Sequence, residues 1–187
     1  MAIMRYPEGH KEAVRERIVE AAAEALRVHG LEGVSIPALM KRVGLTHGGF
    51  YAHFRNRDEL VSAAVLAAGE RTARGVFAEE ASLEDTLGRY LSLGHVEHPE
   101  QGCVVAALGT DGRRQPAPVR RAFAEVARGL LALVDRKLRP GRAKKSVSDE
   151  ALRLTATMVG AVVLSRLVDD RALAERILHA AEASAPS

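Results

Sequence analysis

This chain predicts an all-helical fold, on three observations. Apolar residues recur with a period near 3.6 rather than alternating, as a helix with one buried face requires. Alanine, leucine, arginine and glutamate recur along a chain only 4% aromatic, and all four are strong helix formers. Serine, threonine, asparagine, proline and glycine punctuate the chain where helices would start and stop. A length of 187 residues, with 47% hydrophobic and 27% charged residues, suits a globular chain with a sizeable core.

The elements follow in order. A first helix is expected over residues 10–30, where Val14, Ile18, Ala21, Ala22, Ala25 and Leu26 share a stripe and Gly30 is the stop. Ser35 caps a second, SIPALMKRVG, whose Pro37 lies in the first turn, where a missing N–H costs nothing. Leu45 is a buried link. Thr46 then caps a third helix, HGGFYAHF, about two turns long. Asn56 caps a long fourth helix over residues 57–81, and Ser82 opens a fifth over 83–98, closed by Pro99 and Gly102. GCVVAALGTDG forms a short sixth element. Pro116 and Pro118 precede a seventh over 119–139, and PGRAKKSVSD is an exposed basic loop. Ser148 or Asp149 caps an eighth, EALRLTATMVGAVVLSRLV, and DRALAERILHAAEA is the last of about nine helices.

Charge and composition narrow the function classes. Cys103 is the single cysteine, which excludes an internal disulfide and a multi-thiolate zinc site. MAIMRYPEGHKEAV has no apolar signal core, and LTATMVGAVVLSRLV is too short, and interrupted too soon by Arg166, to cross a bilayer. A reducing cytoplasm is therefore the expected location, with no membrane partner. Catalysis would need a nucleophile with its base, paired carboxylates or a Gly-rich phosphate loop, and no such constellation is evident, so no enzyme and no cofactor is expected. Between residues 34 and 58, Lys41, Arg42, Arg55 and Arg57 face Asp58 alone; residues 113–145 are more basic still, with Glu125 and Asp135 against eleven Lys and Arg. That second patch is a rival nucleic-acid surface, unless it complements the acidic stretch 79–100.

Two adjacent glycines in GLTHGGFYAHF pose the sharpest question, because glycine costs a helix interior roughly 1 kcal/mol relative to alanine. Three helices, with the second and third joined by the tight turn VGLT, have the spacing of a helix-turn-helix. Leu39, Val43, Leu45, Phe50 and Phe54 are spaced to bury against the first helix, leaving His47, Gly48, Gly49, Tyr51 and His53 free to project. GLEGVSIPALMKRVGLTHGGFYAHFRNRDEL resembles the N-terminal domain of the TetR family of bacterial transcriptional regulators, through its HGLEGVS turn, VGLT turn, FYAHF string and RNRDEL helix start. The resemblance covers about the first third of the chain. It implies a DNA-binding domain over residues 1–56, a helical effector-binding and dimerisation domain over 57–187, and double-stranded operator DNA as partner.

With the major groove only about 12 Å wide, Gly48 and Gly49 would let the recognition helix sit deeply, with His47 at its tip. The competing explanation is that the pair eases packing near the turn. Tyr51 and His53 match positions that in the family contact DNA, and Arg57 matches a basic residue at the next helix start. Ser35 and Thr46 are caps whose helix starts can offer backbone N–H groups to phosphates.

The rest of the chain predicts a homodimer and an effector. The eighth helix is apolar nearly all round, so Ala156, Val159, Gly160 and Val163 are expected to meet Leu173, Ile177, Leu178 and Ala181 of the ninth in a two-fold four-helix bundle. The family implies a ligand cavity among the fourth, fifth, seventh and eighth helices, for which Phe77, Tyr90, Leu93, Cys103, Leu108, Phe123, Val126 and Met158 are candidates; they suit a small, mainly apolar effector. Two alternatives use HVEHPEQGC: a metal held by His95, His98 and Cys103, or Cys103 as a reactive thiol at a helix start. A carrier or enzyme on the same scaffold is the distant alternative.

Overall fold

The computed structural model describes residues 9–141 and 146–186, and every one of its regular elements is a helix. In chain order these are α1 (His10–His29), α2 (Ile36–Arg42), a 3₁₀ helix (His47–Ala52), α3 (Arg57–Gly75), α4 (Leu83–Tyr90), α5 (Leu93–Glu97), α6 (Val104–Gly112), α7 (Ala117–Leu138), α8 (Asp149–Leu167) and α9 (Arg171–Ala183). Of the expected basic loop, residues 142–145 lie outside the described residues.

Capping chemistry sets the helix starts. Side-chain oxygens of Ser35, Thr46, Asn56, Ser82 and Ser148 each accept a backbone N–H of the helix that follows. Ser82 and Asp85 complete a reciprocal capping box, with Ser82 N–H donating back to Asp85 at 3.1 Å.

Three boundaries differ from the periodicity reading. The third predicted helix is a 3₁₀ helix, closed by bonds from Gly49 N–H to the Thr46 carbonyl and from His53 N–H to the Phe50 carbonyl, each 3.0 Å. The fourth predicted helix ends at Gly75 instead of 81, because Phe77 turns into the core and the Lys137 ammonium takes the carbonyls of Ala78 and Ala81 at 2.6 and 2.5 Å. The fifth is broken into α4 and α5 at Leu91 and Ser92. There Ser92 caps a new helix, and the His95 ring folds back to donate from Nδ1 to the Tyr90 carbonyl at 2.6 Å.

Two apolar clusters hold the fold together. One packs Ile18, Ala22 and Leu26 of α1 with Leu39, Met40, Phe50 and Phe54, with Leu60, Val61, Ala64 and Val65 of α3, and with Val104, Leu108, Val119 and Phe123 of α6 and α7. The other joins Phe77, Leu87, Tyr90 and Cys103 to Leu130 and Val134 of α7 and to Leu154, Met158 and Val162 of α8. Helix α3 therefore lies between α1 and α7. At Gly69 an added Cβ would stand 2.8 Å from the Val126 methyls, so glycine is what allows α3 and α7 their close approach.

Candidate nucleic-acid interface and effector cavity

The helix-turn-helix is locked from behind. Phe50 and Phe54 are fully buried and stacked with centroids 5.5 Å apart, and the Arg15 guanidinium sits 4.8 Å above the Phe54 ring. Arg17 holds the end of α2 by donating to the Val43 carbonyl at 2.9 Å. Gly44, at φ 75°, supplies the left-handed turn between α2 and the link to the 3₁₀ helix.

With one side fixed, the other faces solvent. His47 and Tyr51, four residues apart, meet edge to face at 6.0 Å, and Tyr51 is 64% exposed. Ser35, Thr46, His47, Gly48 and Tyr51 are exposed, whereas Gly49, His53 and Arg57 are half-buried. The inner position of His53 leaves its Nδ1 buried without a hydrogen-bond partner, and desolvation, followed by the nearby Lys11 and Arg15, lowers its pKa. Arg57 turns inward to donate to the Leu31 carbonyl.

Internal packing does not dictate the glycine pair. A Cβ on Gly48 would meet nothing within 4 Å, and one on Gly49 would make only ordinary contacts, 3.6 Å from Thr46 Oγ1 and 3.8 Å from Met40 Cε. The chain's own packing does not exclude a side chain at either position. The competing explanation, relief of internal crowding, thus lacks a contact to relieve.

A cavity of about 250 Å³ lies between α3 and α7, lined by Leu66, Gly69, Glu70, Thr72 and Ala73 on one side and Glu125, Val126, Gly129, Leu130 and Leu133 on the other, with Cys103 at the start of α6. Of the eight residues expected to form a pocket, Cys103 and Val126 line this one. Phe77, Tyr90, Leu108, Phe123 and Met158 are packed as core, and Leu93 packs against that core. The spacing of Val126, Gly129, Leu130 and Leu133 was legible as a helix face; its pairing with α3 was not.

Behind Cys103 lies a polar cluster. Its backbone N–H donates to His95 Nε2 at 2.9 Å, which makes the other ring nitrogen, Nδ1, the protonated one that bonds the Tyr90 carbonyl. Burial, the largest effect, drops the His95 pKa to about 4. Tyr90 Oη is buried without a hydrogen-bond partner, and burial, reinforced by the neighbouring Cys103 thiol, raises its pKa well above the usual value. Arg166 donates to the His95 carbonyl at 2.7 Å, and buried Arg27 of α1 donates to the carbonyls of Pro99 and Glu100. These contacts overturn the metal-ligand reading: both His95 nitrogens are engaged, and His98 is exposed with its Nδ1 3.2 Å from Glu100. Among the described residues no three His, Cys, Asp or Glu side chains are placed to hold a metal ion.

On α8 an apolar strip faces outward. Leu152, Leu164 and Leu167 are 43, 53 and 75% exposed; Ala156 is exposed, and Val159, Gly160 and Val163 are half-exposed. Leu173 of α9 is 38% exposed and Ile177 half-buried, while Leu178 and Ala181 are buried in the chain's own core. No described helix is long and apolar enough to cross a membrane.

Comparison with known proteins agrees with this architecture. Residues 18–64 match the family model described as bacterial regulatory proteins, tetR family, and residues 80–181 match the one described as tetracyclin repressor-like, C-terminal domain. An uncharacterized HTH-type transcriptional regulator of Mycobacterium tuberculosis is 30% identical over 166 residues, 83% of this chain and 86% of that protein. A TetR transcriptional regulator from Chloroflexus aurantiacus is 27% identical with a TM-score of 0.68, covering 92% of this chain and 94% of its own. The reduced form of E. coli NemR, 20% identical, shares the fold with a TM-score of 0.72, over 94% of this chain and 99% of that one.

Proposed function

From a chain that belongs to the TetR family of bacterial transcriptional regulators, we infer a dimeric repressor that a small, mainly apolar effector releases from its operator. The observation that carries this reading is the outward pair His47 and Tyr51 beside the bare backbone of Gly48, on an element whose opposite face is locked by Phe50 and Phe54. A major groove can accept that edge: Gly48 permits close backbone approach, His47 reads a base or phosphate, and the Tyr51 hydroxyl fixes register on a phosphate. Residues 1–56 serve DNA and residues 57–187 serve effector binding and dimerisation. Two-fold pairing through the apolar strip of α8 sets two recognition elements about 34 Å apart, one duplex turn.

Release works through α3. Its first residue, Arg57, follows the 3₁₀ helix by a short turn and bonds the Leu31 carbonyl between α1 and α2, and its later residues Leu66, Gly69 and Ala73 line the cavity. A ligand that wedges α3 from α7 tilts this one rigid rod and moves the DNA-contacting end. The ligand must bind the released state more tightly, since equal affinity for both shifts nothing. Arg27, which grips the loop leading to Cys103, is a second link between α1 and the cavity.

The test is selection of bound fragments from the organism's genomic DNA, followed by gel shifts. His47→Ala should blunt sequence preference and Tyr51→Ala should weaken operator binding, whereas Arg57, expected from the sequence to meet a phosphate, is turned to the Leu31 carbonyl and is not a test of the docking. Unchanged operator affinity in both would refute the docking. One observation favours a second reading of the trigger: the only thiol lines the cavity, so an electrophile or oxidant entering it meets Cys103. A Cys103→Ser protein that still responded to such agents would exclude it.

A further inference from the structure

The cations that the sequence gathers around the helix-turn-helix are largely tied down. Of the four between residues 34 and 58, Arg42 pairs with Glu24 at 2.6 Å, Arg55 with Glu59 at 3.0 Å, and Arg57 with the Leu31 carbonyl; among the described residues Lys41, and Lys11 of α1 near His53, have no partner. Duplex DNA nevertheless demands cations, since phosphate neutralisation supplies much of the affinity of such proteins.

The missing charge stands nearby. The turn between α6 and α7 and the start of α7 read RRQPAPVRR, and Arg113, Arg114, Arg120 and Arg121 are all exposed. Arg114 touches Asp111 at 3.2 Å and Arg120 donates to the Gln115 carbonyl at 3.1 Å. Among the described residues, Arg113 and Arg121 have no side-chain partner. This is the wrong end of a helix for cations. Helices α3, α4 and α8 each open with two acids, as the helix dipole favours, whereas α7 has none in its first turn and carries Arg120 and Arg121 close behind.

The turn also adjoins the DNA-binding unit. His29, Gly30, Leu31, Glu32 and Gly33, between α1 and α2, share one cleft of about 490 Å³ with Asp111, Arg114 and Gln115. Leu31 is the residue whose carbonyl holds Arg57, and Ser35 opens α2 four residues later. The basic stretch that looked like a rival nucleic-acid surface thus begins beside the helix-turn-helix, on the side where α2 and α3 start.

We propose that this arginine-rich turn is a second DNA contact, gripping backbone phosphates that flank the operator, outside the bases the recognition elements read. It rests on the operator-binding reading above. Its contribution is independent of sequence, sensitive to salt, and present only when the duplex extends past the operator.

Fluorescence anisotropy of the full-length protein tests this on a minimal operator duplex and on one extended by about ten base pairs, one helical turn, of unrelated sequence on each side. The wild type should bind the extended duplex about tenfold more tightly, with a log–log salt slope steeper by roughly 1 for each added phosphate contact. In R113A/R114A/R120A/R121A the advantage should vanish while minimal-duplex affinity changes little. The pair R113A/R121A, which removes no contact within the protein, should lose part of it, and circular dichroism should report unchanged helicity. An extension advantage that survives the fourfold substitution overturns the proposal, as does a wild type indifferent to duplex length. Tyr51→Ala on the minimal duplex separates the two readings: if that binding is unaffected, operator docking itself is wrong.

Discussion

Gly48→Ala sets stability and function against each other, and the structure supplies both signs. Because a Cβ at Gly48 meets nothing within 4 Å, the new methyl introduces no clash inside the protein. Gly48 does not have a positive φ, so alanine can adopt its backbone conformation. Removing glycine's freedom from the unfolded chain should therefore stabilise the fold by about 0.5–1 kcal/mol. For a chain of this size that raises Tm by roughly 1–4 °C. On DNA the same methyl occupies the space that lets the backbone approach the groove. Overpacking a close interface costs about 1–3 kcal/mol, and 1.4 kcal/mol is already tenfold in Kd. Differential scanning fluorimetry and anisotropy on the same preparation check the pair of signs. A lowered Tm would mean that Gly48 serves internal packing; an unchanged Kd would mean that the groove does not come near it.

The other expectations concern dimerisation, pH and capping. Leu167→Glu, at a residue 75% exposed on the apolar strip of α8, should leave each protomer folded and yield monomers in sedimentation equilibrium; a dimer of unchanged strength would place the two-fold elsewhere. His95 has a folded pKa of about 4 against an ordinary 6.5, so it stays neutral in the fold while the unfolded chain takes up a proton. Its contribution to stability is complete above pH 6.5 and is lost as pH falls towards 4, by about 3 kcal/mol; urea unfolding of His95→Gln should show a shallower loss over that interval. Ser82→Ala breaks the capping box and should cost about 1 kcal/mol, read as a lower urea midpoint at unchanged m.

What the sequence made legible was local chemistry. Ser35, Thr46, Asn56 and Ser82 were readable as caps because a short polar side chain before an apolar period has few other uses, while the eighth helix left Ser148 and Asp149 open and the structure selects Ser148; all five bond an N–H of the helix that follows. Phe50 and Phe54 as core, with Tyr51 facing out, followed from spacing alone. What escaped was set by distant partners. No periodicity distinguishes the one long helix expected over 83–98 from α4 and α5, since the break depends on the His95 ring and on Arg166 reaching from α8. The inward turn of Arg57 depends on a carbonyl 26 residues away. The cavity lining was mostly missed for the same reason: Leu66, Gly69 and Ala73 read as an ordinary helix face until α7 is known to lie opposite.

The shared core constrains how a signal can cross the molecule. Drawing a boundary at residues 56 and 57 suggests two units on a string, yet one apolar cluster runs from Ile18 and Phe50 through Val61 and Val65 of α3 to Leu108, Val119 and Phe123. A flexible linker would let an effector act on one unit without moving the other. Here the connection is a 19-residue helix buried against both, and Arg27 adds a buried guanidinium bonded across to the carbonyls of Pro99 and Glu100. Burial lowers that guanidinium's pKa to about 10, yet it stays charged at neutral pH, and breaking its bonds would strand a charge in the interior. Movement at the cavity must therefore carry α1 and α3 with it as a body or else break the core, and close-packed interiors favour the former.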